Sequence, residues 1–193
     1  MRGAPLVLLA VTQLVQSHIK MSRRGFVQVY TGDGKGKTTA ALGLAFRALG
    51  WGKRVLFVQF LKKGEFGEVK AAKEFSRLTI KQFGTGEFVD LENPPREVVD
   101  VSLGGWEFAK NEARKGDWDL LILDEINLLL SAGILPWSEV KKLLDAKPES
   151  LEVVFTGRGA PKQLLEKADL VTKFRKVKHP YDRGVKARKG LEY

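Results

Sequence analysis

The segment VYTGDGKGKTTAALGLA, Val29 to Ala45, constrains this chain more than any other. The apolar run from Phe26 to Thr31 reads as a buried strand. KTTAALGLAFRALG, Lys37 to Gly50, has helical spacing and ends at Gly50 and Gly52. Between them the backbone must turn so that loop amides and a helix N-terminus converge on one point. Unsatisfied N–H groups and the helix dipole make that point an anion cradle. Gly32, Gly34 and Gly36 read as positions where the backbone approaches phosphate oxygens with no Cβ in the way. Lys37 then reaches a phosphate, Thr38 offers a hydroxyl to Mg²⁺, and Lys35 adds a second cation. Thr31, Asp33 and Thr39 complete the loop. The strict pattern G-x-x-x-x-G-K-[ST] fails at its first position, where Thr31 stands, but G-K-T survives in the right context. A nucleoside triphosphate site follows; the loop does not say which bond of the nucleotide is broken.

From Gly25 onward, strand-like and helix-like patterns alternate. Further strands are expected at Arg54 to Phe60, Leu78 to Phe83, Trp118 to Glu125 and Leu151 to Gly157. Helices are expected near Gly67 to Phe75, from Arg96 to Lys115, over Ser138 to Ala146 with Ser138 as cap, and after Pro161. DLVTKFRKVKH reads only as extended. Strands apolar throughout and separated by helices imply an α/β fold. The expectation is a single P-loop NTPase-like (RecA-like) domain over residues 21–193, a mostly parallel sheet with helices on both faces. Residues 1–20 form an extension whose apolar run is too short to span a bilayer; it reads as an upstream start or a packed helix, without a targeting role.

Beyond the loop, LLILDE delivers Asp124 and Glu125 to the carboxyl edge of the sheet, where ligands of such folds bind. Metal duty falls to this pair without separating its members; capping or ion-paired acids are the plain alternative. FTGRG places Arg158 after a buried strand, within reach of a phosphate or, equally, of a surface ion pair. The chain carries a net charge of +10, and Lys162 to Lys189 holds ten Lys/Arg against three Asp/Glu. Such a face attracts polyanions, whether nucleic acid, anionic membrane or phosphorylated small molecules. His179, in the tail VKHPYDRGVKARKGLEY, reads by itself as a packing or surface residue. With no cysteine, disulfides, thiolate zinc sites and cysteine nucleophiles are excluded, which fits a cytoplasmic protein.

Together, TGDGKGKTTAALGLAFRALGWGKRVLFVQFLK, GTGEF, LLILDEI, VFTGRGAP and the tail resemble the P-loop-type ATP:corrinoid adenosyltransferases, over nearly everything after Met21. The resemblance implies that a reduced Co(I) corrinoid attacks the ribose 5′ carbon of ATP and displaces the whole triphosphate. Lys37, Thr38 and Glu125 then act catalytically, and Thr38, Asp124 and Glu125 bind Mg²⁺ or Mn²⁺. It further implies a homodimer, a flavoprotein reductant, and no nucleic acid or membrane partner. Members often carry two aromatics after G-x-G. Here GTGEFVDLEN keeps Phe88, one residue displaced and with no Trp, as the corrinoid contact or as a loop aromatic packed on the core. The rival reading is a RecA-like, nucleic-acid-stimulated ATPase, which accounts for the loop, LLILDE and the basic tail but not for GTGEF.

Overall fold

The computed structural model describes residues 24–87 and 89–191. Six strands, β1 (Val27–Thr31), β2 (Val55–Phe60), β3 (Leu78–Phe83), β4 (Leu120–Asp124), β5 (Glu152–Thr156) and β6 (Leu170–Lys173), form one sheet in the order β3-β2-β4-β5-β1-β6. Every pairing is parallel. All residues of β2 and β4 are buried, as strands covered on both faces require.

Six helices connect the strands: α1 (Lys37–Gly50), α2 (Gly67–Ala71, continued by a 3₁₀ turn to Glu74), α3 (Arg96–Lys115), α4 (Ile126–Ser131), α5 (Trp137–Ala146) and α6 (Lys162–Lys167). Side-chain alternation along the strands divides the core. Val29, Leu56, Val58, Leu121, Leu123, Val153 and Phe155 point to the face covered by α3 to α6, where Trp106, Leu129, Leu143 and Leu164 are buried. Val55, Phe57, Leu120, Ile122 and Val154 meet Ala41 and Ala45 of α1 on the other face. Helix α3 follows the end rules closely: Glu97 in the first turn, Arg114 and Lys115 in the last, and Gly116 at φ 74° closing it. Gly105 within it is required by packing, because a Cβ there would lie 2.6 Å from Cγ of Phe83.

The expected single α/β domain, parallel sheet and two-sided helix cover all hold over the described residues. Some boundaries shift. Glu125 lies just past β4, at φ 64°, and is not strand. Helix α5 begins at Trp137 behind Pro136, with no side-chain cap, so Ser138 is inside the helix and does not cap it. The short α4 was not expected. DLVTKFRKVKH contains a true strand, β6, paired with β1, and its four residues are exposed on both faces, which removed any alternation from the sequence. Residues 1–20 and Phe88 lie outside the described residues.

Candidate functional site

Four strand ends meet at the carboxyl edge: the loop after β1, the turn after β2, Asp124 at the end of β4 and Thr156 at the end of β5. Helix α1 starts directly behind Gly36, with no side-chain cap and no acidic residue in its first turn. Its free amides and dipole are thus left to an anion. Lys37 Nζ donates to the carbonyls of Gly32 at 2.8 Å and Gly34 at 2.7 Å. One of its three N–H groups remains for a phosphate oxygen. Burial pulls the Lys37 pKa below the usual lysine value, against the charge of Glu125 and with the help of Arg158.

The loop glycines serve a purpose the sequence did not reveal. Phe174, immediately after β6, donates its N–H to Thr31 O at 2.8 Å, and its carbonyl accepts from the Gly34 N–H at 2.9 Å. A Cβ on Gly32 would lie 2.3 Å from Phe174 O, and one on Gly34 would lie 2.8 Å from the carbonyl carbon of Arg175. The Phe174 ring stands 3.4 Å from the corresponding position at Gly36. These glycines therefore admit the tail strand, and the Gly34 amide is committed to it instead of to phosphate. Asp33 is tied in as well: its own backbone amide, the Lys176 amide and the charges of Lys176 and Lys173 hold its carboxyl below the usual range. Thr31, in place of the first glycine, is buried and accepts from the Ala160 N–H at 3.3 Å. Lys35 and Thr39 are exposed on the rim.

Asp124 is fully buried and accepts three side-chain hydrogen bonds. Its Oδ1 accepts from Thr38 Oγ1 at 2.9 Å and Thr156 Oγ1 at 2.6 Å, and its Oδ2 accepts from Lys62 Nζ at 2.7 Å. Lys62 Nζ also lies 3.4 Å from Thr38 Oγ1. Burial opposes the charge on Lys62, but Asp124, Glu125 and Glu68 together hold its pKa above the ordinary value. Lys62 was not foreseen; nothing in the string LKKG distinguishes it from the exposed Lys63.

Glu125 separates from its neighbour. Its amide donates to Thr156 Oγ1 at 3.0 Å, and its carboxylate approaches Gly157, where a Cβ would lie 3.2 Å from Oε2. Burial and the Asp124 charge raise its pKa, while Lys62, Lys37 and Arg158 counter them. Arg158 is exposed and forms no salt bridge among the described residues, so the ion-pair reading gains nothing and its field acts on Lys37 and Glu125. Buried Asn127 donates to Gly157 O at 3.1 Å and steadies that turn. His179 caps the 3₁₀ turn Pro180–Arg183 by accepting the Tyr181 N–H at 3.1 Å, a structural duty.

The donor set suits a divalent ion of the Mg²⁺ kind. A hydroxyl and two carboxylates are hard oxygen ligands, and an ammonium already stands between two of them, so the notch is built for positive charge. Among the described residues there is no cluster of three or more His, Cys, Asp or Glu, so phosphate oxygens and water would complete the coordination. Beside the notch a cavity of about 470 Å³ opens between α1 and α2, lined by Thr38, Leu42, Lys62, Phe66, Glu68 and Leu191 among others. No helix among the described residues is long and apolar enough to cross a membrane.

A family model described as ATP:corrinoid adenosyltransferase BtuR/CobO/CobP matches residues 23–193. The corrinoid adenosyltransferase of Escherichia coli (strain K12) is 38% identical over 170 residues, covering 88% of this chain and 86% of that protein. The corrinoid adenosyltransferase CobA of Salmonella typhimurium is 36% identical over 170 residues, with the same coverage. A corrinoid adenosyltransferase of Pseudomonas aeruginosa is 36% identical over 172 residues, covering 88% of this chain and 84% of its own length.

Proposed function

Because the chain belongs to the ATP:corrinoid adenosyltransferase family, we infer that it transfers the 5′-deoxyadenosyl group of ATP to the cobalt of a reduced Co(I) corrinoid and releases triphosphate, a step in making or salvaging adenosylcobalamin. The cobalt electron pair forms the Co–C bond at the ribose 5′ carbon, and the C–O electrons leave with the triphosphate. The reaction needs position and leaving-group stabilisation and no activated water. Lys37, the free amides at the start of α1 and Arg158 spread the charge of the departing triphosphate. Thr38, Asp124 and Glu125 would hold Mg²⁺ or Mn²⁺, which when bound supplies further neutralisation of the phosphates. Thr31, Gly32, Asp33, Gly34, Lys35, Gly36 and Thr39 shape and edge the loop, and Phe88 is assigned to the corrinoid.

The observation that carries the reading is the family match over residues 23–193, which favours adenosyl transfer over a nucleic-acid-stimulated ATPase. A homodimer, a flavoprotein reductant and a cytoplasmic setting complete the proposal. The test is an anaerobic mixture of protein, ATP, Mg²⁺ and chemically reduced corrinoid. Triphosphate released in step with a light-sensitive cobalt–carbon product is expected. ADP and inorganic phosphate with an unchanged corrinoid spectrum would overturn the assignment.

A further inference from the structure

The backbone places Lys62 with unusual firmness. Gln59 of β2 pairs with Asp124 of β4, so the turn after β2 runs alongside the carboxylate. Leu61, at φ 57°, then reverses the chain, its N–H held by Phe83 O at 2.8 Å. Gly84 makes room, since a Cβ there would lie 2.4 Å from the Lys62 nitrogen. Buried Gln59 accepts from Gln82 Nε2 at 3.0 Å and donates to Glu68 at 2.9 Å, bracing the far side of the turn. The result is an ammonium in contact with both Thr38 Oγ1 and Asp124 Oδ2. These are two of the oxygens assigned above to the divalent ion.

An ammonium and a divalent cation cannot share one carboxylate oxygen without strong repulsion. Lys62 has somewhere else to go: Glu68 lines the same cavity, and its charge already acts on the ammonium. We propose that Lys62 is a positioning residue for the metal site, a stand-in cation that keeps Thr38 and Asp124 in register and is displaced toward the Glu68 side when metal and triphosphate enter. Metal alone must then dislodge the ammonium and binds weakly. Metal with nucleotide binds well, because the triphosphate supplies further oxygen ligands that offset the cost of moving the ammonium toward Glu68. The inference rests on the metal reading of Thr38 and Asp124.

The test is a titration of the full chain with Mn²⁺, first without nucleotide, free ion being read by electron paramagnetic resonance, and then with ATP, protein-bound Mn²⁺ being read by equilibrium dialysis against the Mn²⁺–ATP complex. Lys62→Gln keeps an N–H donor for Asp124 while removing the charge. It is expected to bind Mn²⁺ at least tenfold more tightly than the parent without nucleotide, whereas Lys62→Arg binds no more tightly than the parent. A merely structural lysine would give weaker binding when replaced. Mn²⁺ binding that is lost in Asp124→Asn but is no tighter in Lys62→Gln would overturn the inference and leave the metal reading intact. Absence of Mn²⁺ uptake by parent and Lys62→Gln alike, even with ATP, would overturn both.

Discussion

Replacing Gly34 by Ala isolates the contact between loop and tail. Gly32 and Gly36 have φ of 102° and 113°, so a side chain there would be strained for backbone reasons alone. Gly34 lies outside that region, and its obstacle is steric: the new Cβ would sit 2.8 Å and 2.9 Å from the carbonyl carbons of Arg175 and Phe174. Backbone atoms cannot swing aside as a flexible side chain can. Overpacking of this kind costs about 1–3 kcal/mol. Relief by undocking the tail forfeits the Gly34–Phe174 hydrogen bond, about 1 kcal/mol. It also loses the Tyr30–Phe174 ring contact, whose centroids are 6.0 Å apart, worth roughly 0.5–1.5 kcal/mol. Either route gives a loss near 2 kcal/mol, or a Tm lower by roughly 4–8 °C for a chain of this size. The assay is thermal or urea unfolding of Gly34→Ala in the full chain and in a chain ended after Lys173. In the shortened background the substitution should cost almost nothing. Equal losses in both backgrounds would refute the argument that this glycine serves the tail.

Three further outcomes are expected. Lys37→Ala should weaken ATP binding by roughly a hundredfold or more, since it removes a charge-assisted donor from the loop; unchanged affinity by calorimetry would sink the loop assignment. Asp124→Asn leaves Lys62 with only Glu125 and Glu68 as counter-charges and weakens the hydrogen bonds from Thr38 and Thr156, so the urea midpoint should fall by the equivalent of about 1–3 kcal/mol, and an unchanged midpoint would contradict this. Burial, and after it the Asp124 charge, raise Glu125 above the ordinary glutamate value of 4.5. The folded state therefore holds the proton more readily than the unfolded chain, and stability falls as pH rises through the raised value. Glu125→Gln should melt higher than the parent at about pH 7 and converge with it by about pH 4, and parallel curves would contradict this.

What could be read from residues was what depends on local pattern. The strand–loop–helix of Phe26 to Gly50 announces itself through glycines and periodicity. LLILD is apolar enough to be a central strand, and Arg96 to Lys115 carries its own end signals. What escaped depends on register and on chain segments far apart in sequence. Lys62 becomes significant only through the pairing of Gln59 with Asp124 and the reversal at Leu61. Gly32 and Gly34 read locally as phosphate-approach positions only, because no local pattern tells that Phe174 will lie against them. Strand β6 hid because neither of its faces is buried. Asp124 and Glu125 look equivalent as neighbours, and a single left-handed residue sends their carboxylates to different surroundings, one to Thr38, Thr156 and Lys62 and the other toward Gly157.

The docking of Phe174 on Gly34 also has a meaning in time. Chains emerge from the ribosome N-terminus first, at roughly 5–20 residues per second. The loop thus appears early, and its β6 and Phe174 flank arrives roughly 7–30 seconds later. Through that interval the sheet lacks an edge and the nucleotide loop lacks the wall that shapes it. Chains that stop before Phe174 would therefore carry the whole loop sequence without the flank that shapes it, and a finished nucleotide site would await the synthesis of that residue.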